Sequence, residues 1–186
     1  MGVFYSTLPF GDAVSNAAQA FLPAARTPCR RRQTTRNVMR LGVLTGAGTC
    51  ALVGLPLAMP SLRALFTVDV AVRDALGQLL PFACACSFAF NVASAAEGCL
   101  IAARDLRPVS SLYAASPVFT AAMLLGLARA NGGALAVAGA LAAWATFTSF
   151  HLIRLGVFAG RLAVVVHVGR QDKVARRRGR ERTGRW

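Results

Sequence analysis

Glu97 is the residue whose type and position first indicate chemistry, because it stands in a very apolar stretch, FNVASAAEGCLIAARD, that begins at Phe90. Three polar residues, Ser87, Asn91 and Ser94, precede it, and the four stand at steps of four, three and three along the chain. On a helix they share one face. A charged side chain at bilayer depth costs at least ~2.5 kcal/mol on insertion scales, so it faces a bundle interior or an aqueous cavity. A carboxyl group there can gain and lose a proton, as a proton-coupled carrier requires.

Two interpretations of Glu97 remain open on the sequence. It lies seven residues before Arg104, hence about 10 Å along a regular helix from the end of the span. In the structural interpretation, its carboxylate is bound permanently to Arg104 or to a neighbouring hydroxyl group. In the functional interpretation, it takes part in transport.

A second polar face is predicted near the N-terminus, where four residues stand at i, i+3, i+4 and i+7: Asp12, Ser15, Asn16 and Gln19. Ser, Asn and Gln commonly form hydrogen bonds between membrane helices. This face therefore either packs against a neighbouring helix or lines a cavity. Together with Glu97, Asn91 and Ser94, the cavity candidates are Asp12, Asn16 and Gln19.

Nothing in the sequence indicates an enzyme, a bound metal or an organic cofactor. Both histidines are predicted near a membrane boundary, and His151 is expected to be interfacial because it lies three residues before Arg154. Neither has a Ser or Cys partner in a recognisable motif. The five cysteines show no paired metal-ligand spacing. The only ion expected is a coupling proton or sodium ion.

The elements that must position these residues are predicted to be membrane helices. The chain has 186 residues, of which 55% are hydrophobic, and its apolar runs of roughly 20 residues match the thickness of a bilayer. We therefore predict an all-α integral membrane fold with about five spans. These spans are 3–22, 38–59, 75–103, 109–127 and 134–158.

The formal charge of +14 predicts an orientation rather than nucleic-acid binding. Arginine is concentrated in the connection TPCRRRQTTR, in the turn RDLRP and in the segment 166–186. We expect all three on the cytoplasmic side, with 166–186 forming a basic, disordered tail. Five spans then place the N-terminus outside, which is unusual without a leader and favours a chain that is the C-terminal part of a longer protein.

Four stretches resemble the C-terminal half of the multidrug and toxic compound extrusion (MATE) transporters, in the branch of the bacterial DNA-damage-inducible and plant plastid proteins. They are similar to parts of the eighth, ninth, tenth and twelfth helices of that family. The resemblance covers residues 1–165. In order, the stretches are FGDAVSNAAQAFLP (10–23), RNVMRLGVLTGAG (36–48), EGCLIAARDLRPVS (97–110) and AWATFTSFHLIRLGVFAGRL (143–162).

The resemblance implies two six-helix lobes around a central cavity, with alternating access driven by a proton or sodium gradient. This chain would supply a partial second lobe and would need the missing N-terminal lobe as its partner. Glu97 matches an acidic position late in the tenth helix. A first-lobe carboxylate, central to cation coupling in many relatives, has no counterpart here.

Three functions follow as expectations. The first is an antiporter, in the plasma membrane or a plastid membrane, that exports small organic or xenobiotic compounds. The second is a truncated fragment or a structural subunit that transports nothing. The third is a flippase for lipid-linked oligosaccharides with the same architecture, which would line its cavity with several arginines, whereas Arg154 is the main cation inside the spans.

Overall fold

A computed structural model describes residues 5–130 and 137–183, and within these residues the chain is all helix. This confirms the predicted all-α membrane class. The helices are α1 Leu8–Ala24, α2 Pro28–Ala58, α3 Pro60–Phe66, α4 Val70–Ala102, α5 Arg107–Ala130 and α6 Val137–Thr183. Of these described helices, α2, α4, α5 and the Gly139–Val165 part of α6 are long and apolar enough to cross a membrane.

The first predicted span, 3–22, corresponds to α1, which is shorter than expected. It has 17 residues, about 25 Å of helix, and so falls just short of a 30 Å hydrocarbon core. Among the described residues the structure therefore supports four spans by length and composition where the sequence predicted five. The last predicted span, 134–158, begins outside the described residues.

The arginine-rich connection before the second span is helical, which corrects the predicted loop. Helix α2 begins at Pro28 rather than near residue 38. The side chain of Thr27 caps it by accepting a hydrogen bond from the backbone N–H of Arg30 at 3.3 Å, and proline suits the first helical turn. The basic residues are therefore held in the first turns of a membrane helix.

Helix α4 is the centre of the bundle. Fourteen of its residues are buried, and α1, α2 and α6 pack around it. Small residues permit this close approach: a Cβ atom at Gly98 would lie 2.5 Å from the backbone oxygen of Ser15 on α1, and one at Gly42 on α2 would lie 2.5 Å from the Cβ of Ala95. Helices α1 and α2 therefore contact α4 almost backbone to backbone.

The turn between α4 and α5 has a defined geometry. Arg104 has a positive φ of 60°. The N–H groups of Arg104 and Asp105 donate to the carbonyls of Ile101 and Leu100 at 2.9 and 3.0 Å, which is the Schellman arrangement that ends a helix. The Asp105 carboxylate then pairs with Arg161 of α6 at 2.6 Å. The predicted RDLRP turn is thus attached to α6.

One end of the bundle gathers the segments that the charge pattern predicted to lie on one side. A single apolar cluster joins Leu22 at the end of α1, Val38 of α2, Val109 after the turn and Leu162 of α6. The α1–α2 connection, the α4–α5 turn and the beginning of the basic segment therefore lie at the same end. Its assignment to the cytoplasm stays a prediction.

Helix α6 continues to Thr183, past the predicted end of the last span at 158. It enters the segment 166–186, for which the sequence predicted disorder. Arg, Lys, Glu and Gln all have favourable helix propensities, so a polar extension of a membrane helix is physically reasonable. Residues 184–186 lie outside the described part of the chain.

The close approach of α1 to α4 predicts that Gly98→Ala destabilises the protein. The added methyl group would overlap the backbone of Ser15, and such overpacking typically costs about 1–3 kcal/mol. Gly48→Ala on α2 is the matched control, since a Cβ there would meet no atom within 4 Å. Unfolding by sodium dodecyl sulfate in mixed micelles, followed by circular dichroism, measures both. Equal midpoints for the two variants would contradict the predicted contact.

Candidate transport site in the helix bundle

An ion pair between Glu97 of α4 and Arg154 of α6 forms the centre of the candidate site. The guanidinium group of Arg154 donates to Oε2 of Glu97, and the two side chains are 6% and 14% exposed, respectively. The same guanidinium nitrogen also donates to the Oγ of Ser94 at 3.3 Å. Glu97 and Ser94, three residues apart on one face of α4, therefore share Arg154 as their partner.

Aromatic rings and a phenol group complete the surroundings of the ion pair. Tyr113 of α5 donates its hydroxyl hydrogen to Oε2 of Glu97 at 3.0 Å. The guanidinium carbon of Arg154 lies 5.4 Å from the ring centroid of Phe90, 5.6 Å from that of Tyr113 and 5.8 Å from that of Phe158. Rings at such distances attract a cation. The charge of Arg154 is thus stabilised by one carboxylate and three rings.

His151 lies in the bundle interior, so the predicted interfacial position was wrong. It is 4% exposed, and its ring stacks edge to face with Phe147 at 4.6 Å and with Phe90 and Phe150 at 5.3 Å. Neither ring nitrogen has a hydrogen-bond partner. Because His151 precedes Arg154 by one helical turn, it extends the polar interior of α6 within an apolar shell.

Asn91 joins α4 to α2 and lies apart from the ion pair. Its side-chain nitrogen donates to the hydroxyl of Thr49 at 2.9 Å and to the backbone carbonyl of Ser87 at 2.8 Å. The residue is completely buried. These contacts are typical of hydrogen bonds that hold two membrane helices together.

The predicted polar face of α1 is divided between two environments. Gln19 donates to the Oγ of Ser15 at 3.3 Å, and Ser15 packs against Gly98 of α4. Asp12 and Asn16 are exposed. Among the described residues, Asp12, Asn16 and Gln19 make no hydrogen bond or ion pair with Glu97 or Arg154.

Sequence reasoning allowed a hydroxyl partner for Glu97 without identifying Tyr113, and it missed Arg154. The predicted partner Arg104 is exposed and ends the helix with its positive φ, so the structural interpretation named the wrong cation. A usable signal was present: Glu97 and Arg154 are the acid and the base that stand deepest in two apolar helices, and charges at membrane depth commonly pair with each other. Tyr113 gave no comparable signal.

Comparison with known proteins gives one relative of weak similarity. Protein DETOXIFICATION 47, chloroplastic, of Arabidopsis thaliana is 29% identical to this chain over 160 residues. The alignment covers 82% of this chain and 28% of that protein, so the chain spans less than a third of its relative. No protein-family model matches the chain, and no solved structure matches it. The similarity supports the extrusion family at most, without singling out a branch.

The buried ion pair predicts a large loss of stability when only one partner is removed. Arg154→Met should lower the free energy of unfolding by about 3–5 kcal/mol, because it leaves the Glu97 carboxylate without its cation. The double variant Glu97→Leu with Arg154→Met should recover most of this loss. Fluorescence of the buried Trp144 during denaturation in detergent reports the transition.

Arg161→Met is the control for that experiment. Arg161 also belongs to an ion pair, with Asp105, but its side chain is 47% exposed, and exposed pairs contribute little. Its removal should leave the unfolding midpoint nearly unchanged. If the double variant were as unstable as Arg154→Met alone, the lost stability of Arg154→Met would not come from leaving Glu97 without its ion-pair partner.

Proposed function

We propose that this chain forms part of the second lobe of a MATE-type secondary antiporter, which exports organic compounds in exchange for protons or sodium ions. The observation that carries the proposal is the Glu97–Arg154 pair, buried between two helices of membrane-spanning length. The similarity to a detoxification protein over most of the chain supports the same class. The proposed role is transport rather than catalysis.

The ion pair could convert ion binding into movement. Glu97 accepts hydrogen bonds from Arg154 and from Tyr113 of α5. A proton or sodium ion bound to this carboxylate would reduce its negative charge. Its attraction for Arg154 and the hydrogen bond that it accepts from Tyr113 would both become weaker. A ligand shifts a conformational equilibrium only if its affinity differs between the states, and the paired and unpaired forms of Glu97 provide that difference.

Helix α5 is the element that such a change would affect most. No residue in its apolar window is buried, and its contacts with α4 are few compared with those of α1 and α2. The hydrogen bond from Tyr113 to Glu97 is therefore a large part of its attachment to α4. Neutralisation of Glu97 would release α5 from this side of the bundle.

The exposed face of α1 is the proposed cavity side. Asp12 and Asn16 are exposed in the described chain. A carboxylate on a cavity wall would favour cationic or amphipathic organic substrates. In this proposal the missing lobe closes the other side of the cavity, and the end of the bundle that carries the basic segments is cytoplasmic.

Export of a fluorescent cationic dye from proteoliposomes tests this function. The protein would be the chain together with the reading frame that precedes Met1, which should encode about seven further helices. Wild-type export should depend on the imposed proton gradient, whereas Glu97→Gln should lose that dependence because an amide cannot take up and release the proton. Tyr113→Phe should keep the dependence at reduced rate.

Asp105→Asn provides the matched control. This carboxylate also pairs with an arginine of α6 but lies in the turn after α4, so its removal should leave the dependence on the proton gradient unchanged. If Glu97→Gln exported dye as the wild type does at every imposed gradient, Glu97 would not be the coupling group. If neither this chain alone nor the longer protein with the preceding helices exported dye, the alternative of a non-transporting fragment or subunit would be favoured.

The flippase alternative receives less support from the site. It would require several arginines free to bind a phosphorylated substrate. The buried arginine of the described membrane helices, Arg154, already binds Glu97 and Ser94. A site of this kind is better suited to a cation-coupled antiporter.

A further inference from the structure

An open groove lies between α1 and α2, at the end of the bundle that carries the basic segments. Its volume is about 540 Å³, and its walls come from the last turns of α1, including Ala17 and Phe21, and from the first turns of α2. It is separate from the Glu97 cluster, which lies between α4, α5 and α6. The proposed transport mechanism assigns it no role.

The lining of the groove changes from charged to apolar along α2. Arg30, Gln33 and Asn37 stand on one helical face at steps of three and four, and Leu41 continues that face one turn further. From Arg30 to Leu41 the helix rises about 16 Å. One headgroup layer of a bilayer is roughly 5–8 Å thick, so the groove reaches from beyond the headgroups to the hydrocarbon boundary.

Exposed apolar side chains place that boundary near Leu41. Leu41 is 46% exposed and Leu44, further along α2, is 69% exposed. On the α1 side, Phe21 is 64% exposed. These side chains suit contact with acyl chains, whereas Gln33 and Asn37 can donate hydrogen bonds at the level of the glycerol esters.

The charged residues in the chain segment that forms the groove are all basic. No acidic residue occurs between Asp12 and Asp69, and the segment 26–40 contains six arginines. None of these arginines takes part in the ion pairs found among the described residues. Among the described residues Arg30 therefore has no carboxylate partner, and it is available to an anionic ligand.

From this order of arginine, amide donors and apolar walls, we infer that the groove is a binding site for an anionic phospholipid of the adjoining leaflet. The phosphate group contacts Arg30, the ester region contacts Gln33 and Asn37, and an acyl chain lies along Phe21 and Leu41. The site is independent of the proposed antiport, because it shares no residue with the Glu97 cluster.

Titration of the complete 186-residue chain in neutral detergent, followed by native mass spectrometry, tests the site. Phosphatidylglycerol should bind about tenfold more tightly than phosphatidylcholine, and inorganic phosphate should compete weakly because it lacks acyl chains. Arg30→Gln should weaken phosphatidylglycerol binding about tenfold, the usual effect of losing one charge-assisted contact. Arg30→Lys should restore part of the affinity.

Arg32→Gln is the matched control, since it removes the same charge from the same helical turn but does not line the groove. It should change the affinity by less than about twofold. Equal losses for Arg30→Gln and Arg32→Gln would overturn the proposal in favour of diffuse attraction to a basic surface. If inorganic phosphate displaced phosphatidylglycerol completely, the groove would be a site for free anions, and this result would also overturn the proposal.

Photolabelling of the unmodified chain tests the same site if the variants do not fold. A photoactivatable phosphatidylglycerol, incorporated into vesicles with the chain, should label peptides within residues 17–41. Labelling confined to other helices, or equal labelling by the corresponding phosphatidylcholine probe, would overturn the proposal.

Discussion

The ion pair of Glu97 with Arg154 is the interaction on which the arrangement of the bundle depends. Each charge alone would be unfavourable inside a membrane, and the pairing permits both helices to pass through it. Because the two residues lie on α4 and α6, the pair fixes the rotation of each helix about its axis. Ser94 and the ring of Phe90 then complete the shell around the guanidinium group.

Packing around α4 divides the described helices into two groups. Helices α1 and α2 approach α4 closely at Gly98 and Gly42, and Asn91 adds a hydrogen bond to α2. Helix α5 packs mainly against α6, has few contacts with α4 and is joined to it by the hydrogen bond from Tyr113 to Glu97. A change at Glu97 would therefore loosen the contact between α5 and α4, while α1 and α2 stay packed against α4. The proposed transport requires this difference.

Some local features could be predicted from sequence and others could not. Helical periodicity alone places Ser94 and Glu97 on one face of α4, and in the structure both accept hydrogen bonds from Arg154. The start of α2 was also encoded, by Thr27 followed by Pro28, but the run of arginines favoured a loop. The polar residues predicted to share one face of α1 lie in two environments, because Ser15 contacts α4 while Asp12 is exposed.

The sequence by itself determined the helical class, four of the five predicted apolar spans, the concentration of basic residues at one end and the presence of a carboxylate within an apolar helix. Each of these depends on composition or on periodicity within one helix. Only the tertiary structure decided that Arg154 is the partner of Glu97, that Tyr113 joins them and that His151 is enclosed by phenylalanines. The contacts of Glu97 with Tyr113 and Arg154 and of His151 with Phe90 join residues 16, 57 and 61 positions apart. The packing of α4 against its neighbours, which no single helix encodes, brings these residues together.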